Sequence, residues 1–430
     1  MKKTPFRATS RRAHTVAVVA AATAALAAPL LFAGPSATAA EPHSVGTVHI
    51  VQIRGVAASA DEVTKVATEM TAQNGGELRR IYYSASQSFS ATLTDDQVAK
   101  YLNDSRVDSV TKDHTYQVAG EPGAAPSGFG GFGGFVRSDD GPSAPGWGLD
   151  RIDQRELPLD GGYSAPNTAS DARVYIVDTG LRTTHEEFGG RAHTAYDAIA
   201  QTRGEDGDCH GHGTASAAIA AGERSGAAKE AGIESVRAFG CDGTGSMEHI
   251  MTAVDWITAH AERPAVVSLG FSGEPGTVVD RQLYNMTRLG IPYTAAAGGG
   301  SGGSGSDACM QSPGRQTTGI TVAATDQRDS RPAWSNYGAC VHLFAPGENI
   351  PTAGAASDDA YRSLSGTSAA TAEATGAVAM YLSDHPDATP VDIDKALIEA
   401  STKDHVQDPG TGSKNRLLYV GDGSAAGDPR

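Results

Sequence analysis

Hydrophobic and polar positions alternate on two different periods along this chain. Near the start, Val48, Ile50 and Gln52 alternate with His49, Val51 and Ile53 on a period of two, which predicts a first strand. Ser59-Ala-Asp-Glu62 then reads as a capping box opening a helix, with Val63, Val66, Ala67 and Met70 forming its apolar face. A second box, Thr94-Asp-Asp-Gln97, opens another helix bearing Val98, Tyr101 and Leu102. The segment from Thr47 to Val118 therefore reads as strand, helix, strand, helix, strand, a small α+β domain within residues 41–120. From Trp147 onward the pattern changes to continuous apolar strands separated by helices. Val174–Val177, Ile233–Phe239, Ala265–Ser268, Tyr293–Ala297 and Ile320–Ala323 are the strands. Helices follow His212 and cover Ile250–Ala261 and Val278–Leu289. Strands apolar on both faces predict an α/β fold, a mostly parallel sheet with helices on both sides, over residues 147–420. Chemistry in such sheets sits at the carboxyl ends of the strands. A last helix starts at Thr389-Pro390.

The flanking segments have other signatures. Lys2, Lys3, Arg7, Arg11 and Arg12 precede an apolar run from Thr15 to Phe32 and the small residues Ala37-Thr38-Ala39-Ala40, so residues 1–40 read as a signal peptide and the protein as secreted. A membrane anchor is the alternative, since Val16 to Phe32 approaches a spanning length. Residues 121–146 are a Gly/Pro-rich linker expected to hold the maturation site. Gly128-Phe-Gly-Gly-Phe-Gly-Gly-Phe135 lies at its centre, where docking by the phenylalanines is the competing reading. Residues 421–430 read as a flexible tail.

Composition narrows the partners. The 430 residues are 39% hydrophobic, enough for a core, and the net charge of −16 argues against nucleic acid, which needs clustered Lys and Arg. The four cysteines, Cys209, Cys241, Cys309 and Cys340, contain no CxxC pair, so two disulfides in an oxidising compartment are expected rather than zinc. Three connectivities are open.

Three motifs carry candidate chemistry: Val174-Tyr-Ile-Val-Asp178-Thr-Gly180, Gly211-His212-Gly-Thr214 and Ser365-Gly-Thr-Ser368-Ala-Ala. Asp178 ends a strand, His212 sits between glycines that leave its ring room, and Ser368 opens a helix whose N–H groups can hold an oxyanion. Taken singly these are a turn, one histidine among 13 and a helix cap. Together, an acid, an imidazole base and a hydroxyl nucleophile point to peptide-bond hydrolysis through an acyl-enzyme.

Residues 147–420 resemble the subtilisin-like serine proteases, in the proteinase K and aqualysin-type branch. The resemblance extends through Trp147-Gly-Leu-Asp-Arg-Ile-Asp153, Thr183-Thr-His-Glu-Glu-Phe188, Ser335-Asn-Tyr-Gly338 and Asn415-Arg-Leu-Leu-Tyr419. Residues 47–118 resemble the inhibitory propeptide of those enzymes. The likeness implies a monomeric endopeptidase made as a zymogen, acting on protein or peptide substrates and held by its own propeptide. It implies that Gly243-Thr244-Gly245 pairs with the peptide, that Ser268-Leu269-Gly270 and Ala296-Ala297-Gly298 wall an apolar specificity pocket, and that the disulfides are Cys209–Cys241 and Cys309–Cys340. No cofactor is required. The branch's structural calcium is left open, because His342 takes the place of a ligand Asp, and no metal ligand is named.

Departures from the family's pattern are local. HGTH is replaced by His212-Gly-Thr-Ala215, and Met-Ala-Thr-Pro-His by Ala369-Ala-Thr-Ala-Glu373. A buried, unpaired Glu373 would titrate upward. Where the oxyanion-stabilising Asn belongs stands Gly299, in a run from Gly298 to Ser306, leaving the Ser368 N–H as the remaining donor. A catalytically weak or inactive homologue that binds peptides or inhibitors is therefore the alternative function.

Overall fold

Period-two and helical patterns resolve into two principal sheets of different construction. The computed structural model describes residues 46–120, 145–204, 207–299 and 303–421. The expected signal peptide, and nearly all of the linker and of the tail, lie outside the described residues. In the N-terminal unit, β1 (Thr47–Ile53), α1 (Ala60–Asn74), β2 (Glu77–Tyr82), β3 (Ser88–Leu93), α2 (Asp95–Leu102) and β4 (Val107–Lys112) form an antiparallel sheet in the order β2-β3-β1-β4. Val51, Val63, Met70, Phe89 and Tyr101 centre its core between sheet and helices. The Thr94 box closes completely, whereas at Ser59 the serine caps the Glu62 N–H without the reciprocal bond.

One expectation needs correction here. The single strand foreseen between the two helices is a hairpin, β2 and β3. The alternation was obscured because the second face of this sheet is also covered, so Ser88, Ser90 and Arg80 are buried. The cover is a helix of the larger unit, α5 below.

The larger unit begins with α3 (Trp147–Ile152) and continues through β6 (Arg173–Asp178), β7 (Ala192–Asp197), α4 (His212–Ala221), β8 (Gly232–Arg237) and β9 (Thr244–Ser246). Then come α5 (Met247–His260), β10 (Ala265–Leu269), β11 (Phe271–Gly273), α6 (Thr277–Arg288), β12 (Tyr293–Ala296), β13 (Ile320–Thr325) and β14 (Leu343–Pro346). The hairpin β15 (Ile350–Ala353) and β16 (Tyr361–Leu364), α7 (Thr367–Asp384), α8 (Pro390–Ala400), β17 (Thr402–Lys403) and β18 (Arg416–Leu417) complete it. Its main sheet runs β17-β18-β14-β13-β12-β10-β6-β8-β7, parallel except for the edge strand β17. The α/β expectation thus holds, with α4 and α7 in one core cluster and α5 and α6 in the other.

Between the units one short strand, β5 (Thr115–Val118), leaves the N-terminal sheet and pairs antiparallel with both β9 and β11. The rest of that unit rests on α5 and on α6, whose Arg281, Gln282 and Asn285 bond Asp108, Ser86 and Ala85. Glu248, 2% exposed, takes a bidentate bond from Arg79 (2.8 and 3.0 Å), one from the Ser90 hydroxyl (2.6 Å) and an ion pair with Arg80 (3.3 Å). Burial pushes this carboxyl up, but the Arg79 and Ser90 bonds and the Arg80 charge outweigh it and hold it below its ordinary value. One turn pair further on, Asp255 accepts the backbone N–H groups of Tyr83, Ser84 and Ala85 from the β2–β3 turn, at 3.2, 2.9 and 2.8 Å.

Candidate active site

Asp178 is the last residue of the central strand β6, and its own neighbour Thr179 donates its N–H to Oδ1 at 2.7 Å. Its carbonyl accepts the N–H groups of Ala238 and Phe239 at 2.9 and 3.2 Å, which ties the strand end to the chain beyond β8. His212 is the first residue of α4. It lies close to Asp178 only because Gly213 follows it: a Cβ there would overlap the Gly180 carbonyl and touch the Asp178 side chain. Ser368 is the second residue of α7, behind Gly366.

These three side chains converge. His212 Nδ1 lies 2.8 Å from each Asp178 carboxylate oxygen, and Nε2 lies 2.9 Å from Ser368 Oγ. All three are buried, with 1–2% exposure. With Nδ1–H donated to Asp178, Nε2 is an acceptor aimed at the serine hydroxyl, the tautomer that lets a hydroxyl attack a carbonyl.

A residue that sequence reasoning passed over builds the base's platform. Asp208 Oδ1 accepts the Thr179 hydroxyl (2.8 Å) and the N–H groups of His210 and Gly211 (3.2 and 2.7 Å). Its Oδ2 accepts the Thr214 N–H and hydroxyl, both at 2.8 Å. It satisfies the exposed donors at the start of α4, where glycine at the cap position offers no side chain. An acid four residues ahead of a helix-opening histidine was the available signal.

The cleft is filled by the chain itself. The Val118 and Ala119 N–H groups donate to the Gly243 and Gly270 carbonyls at 3.1 and 2.8 Å, and the Ala119 carbonyl accepts the Ser368 N–H at 3.2 Å. A Cβ on Gly366 would collide with that carbonyl oxygen, so glycine is required where the peptide passes. Of the expected substrate wall, Thr244 and Gly245 lie in β9 opposite Gln117 and Tyr116. Ser268 and Leu269 end β10, and Gly270 supplies an acceptor; the second pairing strand, β11, was not foreseen. Ala296 and Ala297 are fully buried, while Gly298 donates its N–H to the Thr367 hydroxyl at 3.1 Å.

Gly299, in place of the expected Asn, pairs with Ser335 as an isolated bridge. A Cβ on it would meet only the Trp334 carbonyl, at 3.4 Å. Among the described residues the Ser368 N–H is the donor found on the Ala119 carbonyl. Glu373, five residues along α7 from the serine, is 1% exposed, and neither of its oxygens has a hydrogen-bond partner. Burial pushes its carboxyl up to about 8, against the partial opposition of the Lys229 charge.

Both disulfides expected from the resemblance are formed, Cys209–Cys241 and Cys309–Cys340. The first fastens the loop ahead of α4 to the loop ahead of β9. His342 accepts the Thr321 N–H at 3.2 Å, and burial lowers its imidazole against the opposing charge of Asp394. Among the described residues no group of three or more His, Cys, Asp or Glu side chains is placed to hold a metal.

Comparison with known proteins gives the same picture from outside. Residues 169–417 match the model of the Subtilase family, and residues 47–119 that of Peptidase inhibitor I9. An extracellular serine proteinase of Thermus sp. (strain Rt41A) is 37% identical over 346 residues, covering 80% of this chain and 78% of that protein. The alkaline serine exoprotease A of Vibrio alginolyticus is 34% identical over 343 residues, covering 80% of this chain and 60% of its own length. A crystal structure of a cold-adapted subtilisin-like serine proteinase superposes with a TM-score of 0.61 at 38% identity, covering 64% of this chain and 97% of that one.

Proposed function

The chain belongs to the subtilase family of serine peptidases, with an I9-type inhibitor segment ahead of the peptidase domain, and on that premise we propose that it is a secreted zymogen that cuts itself first at the Ala119–Gly120 bond. The observation that carries this reading is the position of Ala119: its carbonyl accepts the Ser368 N–H while its own N–H is held by Gly270. Ser368 Oγ attacks that carbonyl carbon as its proton passes to His212 Nε2, and Asp178 holds the imidazolium that forms. The oxyanion receives the Ser368 N–H. Collapse of the tetrahedral adduct breaks the bond to the Gly120 nitrogen, which leaves with the proton from His212. Water, activated by the same imidazole, then releases Ala119 from the serine ester.

The same cleft, once vacated, would take extended peptides between β9 and β11 by backbone hydrogen bonds, so substrates are proteins or peptides. The chemical steps need no cofactor. The excised segment remains the enzyme's inhibitor, held by Glu248 and Asp255, and later trimming within residues 121–146 completes maturation. Secretion is supported by the leader-like N-terminus, by the two disulfides and by a Thermus relative described as extracellular. The acidic charge argues against nucleic acid, and a single copy of the chain supplies every group the mechanism uses.

One observation favours the second reading, a weak or inactive peptide-binding homologue: Gly299 supplies no side-chain donor to the oxyanion. Intact-mass analysis of purified precursor incubated alone separates the two. The first reading expects a fragment ending at Ala119 and a partner beginning at Gly120. A precursor that stays whole while binding peptides would support the second.

A further inference from the structure

Glu373 takes no part in the chemistry above, yet it is sealed inside α7 without a hydrogen-bond partner on either oxygen. Every wall around it is tight. On the α3 side a Cβ on Gly148 would overlap Glu373 Oε1 and press on Ile350 and Pro346, so the carboxyl lies directly against that backbone. On the α4 side Gly376, one turn along α7, sits so close to Ala220 and Ala227 that a Cβ there would collide with both.

No charged neighbour is free to pair with it. Lys229 supplies the positive charge that acts on Glu373, but its ammonium donates to the Glu223 and Arg224 carbonyls at 3.0 and 3.1 Å and lies 5.4 Å from the centre of the Tyr163 ring. Tyr163 gives its hydroxyl proton to the Ala227 carbonyl at 2.9 Å. On α3, Asp150 accepts the Gly161 N–H at 3.0 Å and Arg151 is held by Asp329, while β14 and β15 present the apolar Pro346 and Ile350.

The two ends of α3 are fastened unequally. At its C-terminal end Arg151, fully buried, donates from Nε and Nη2 to Asp329 at 2.7 and 2.9 Å, and the Ile152 carbonyl accepts the Val420 N–H at 2.7 Å. At the other end the cap position is Gly146, with no side-chain bond, Gly148 has no side chain to pack, and the buried indole N–H of Trp147 has no partner. The wall that can yield is therefore the first turn of α3.

We propose that Glu373 triggers a local opening in which the first turn of α3 lifts from α7 about the Arg151–Asp329 anchor and admits water to the carboxylate once it has lost its proton. A buried neutral acid costs little beside a buried, unpaired anion, so the charge is what opens the wall. Burial, holding this carboxyl up to about 8 in the closed form, sets the same direction. In the open form the group returns to its ordinary 4.5. Between those values each pH unit favours opening about tenfold, and above the upper one the dependence ends because both forms are ionised. The opening does not depend on whether the cleft cuts peptides.

Hydrogen exchange in the full-length Ser368→Ala chain tests it between pH 4.5 and 9. The probe is the Asp150 amide, bonded to the Gly146 carbonyl at 3.2 Å, and the reference is the Val420 amide at the anchored end. After correction for the intrinsic pH dependence of exchange, protection at Asp150 should fall about tenfold per unit up to pH 8 and then level off, while Val420 stays constant. Adding Glu373→Gln should make Asp150 independent of pH as well. Constant protection at Asp150 in the chain that keeps Glu373 would overturn the proposal whether or not the glutamine variant folds. So would the same fall in that variant, or a parallel fall at Val420, which would mean that α3 leaves as a whole or that the fold opens globally.

Discussion

Of two residues on either side of the nucleophile, Gly299 bears on turnover and Glu373 on stability. Gly299 carries no side-chain donor, and removing one oxyanion donor costs on the order of 10²–10³ in kcat, about 2.7–4 kcal/mol. The backbone at Gly299 is open to a side chain, with only the Trp334 carbonyl in ordinary contact. Gly299→Asn is expected to raise kcat at least tenfold on a peptide substrate while changing KM little; an unchanged kcat would mean that another donor already fills the hole. Glu373 concerns stability instead. In the folded chain its carboxyl titrates at about 8, against an ordinary value of 4.5. Between those values the folded state holds a proton that the unfolded state has given up, so stability is greatest below the lower value and falls as pH climbs through the upper one. At about 1.4 kcal/mol per unit, the loss is several kcal/mol. Glu373→Gln lacks this titration, so its melting temperature should match the unmodified protein near pH 4.5, exceed it increasingly up to about pH 8, and keep a constant margin above that. A pH-independent difference would place the carboxylate in a wetter or paired setting. Both residues were legible as departures from a pattern; that Glu373 has no partner was not, because partners come from packing across α3 and α7 rather than from sequence neighbours.

Elements were legible where their buried faces are apolar and obscure where a buried face is polar or is covered by a distant part of the chain. The helices α1, α2, α5 and α6 follow their apolar faces and caps, and β6, β10, β12 and β13 their continuous apolar runs. The hairpin β2–β3 was missed because Arg79, Arg80 and Ser90 are polar residues engaged by Glu248, a partner more than 150 positions away. The strand β11 was missed for a related reason: its three residues are held by β5, which belongs to the other unit. Loops around the base are fixed by covalent and capping devices together. Cys209–Cys241 closes a loop spanning 32 residues beside Asp208 and α4, which corresponds to roughly 3–4 kcal/mol in the chain-entropy account. The double variant Cys209→Ser, Cys241→Ser should lower the denaturant midpoint by about that free energy and reduce kcat with it, since the loop carries the Asp208 anchor of His212. Loss of stability with kcat intact would separate the bridge from the placement of the base.

At the scale of the whole molecule, the proposed function makes the chain a substrate of itself. The N-terminal sheet is pinned to α5 by Glu248 and Asp255, and this anchoring delivers β5 to the cleft with the Ala119 carbonyl on the Ser368 N–H. The order of acid, base and nucleophile along the sequence foretold the three residues that meet, but not which bond they meet over. That depends on how far a strand reaches from an interface built by residues scattered from Arg79 to Asn285, which no local pattern encodes. The most direct test is the fate of the precursor when its nucleophile is removed. Ser368→Ala and unmodified precursors, made by cell-free synthesis without added protease, are compared by N-terminal sequencing over time. The account predicts a new N-terminus at Gly120 from the unmodified chain alone, with the alanine variant remaining intact and folded. Appearance of the same N-terminus in the Ser368→Ala chain would contradict it.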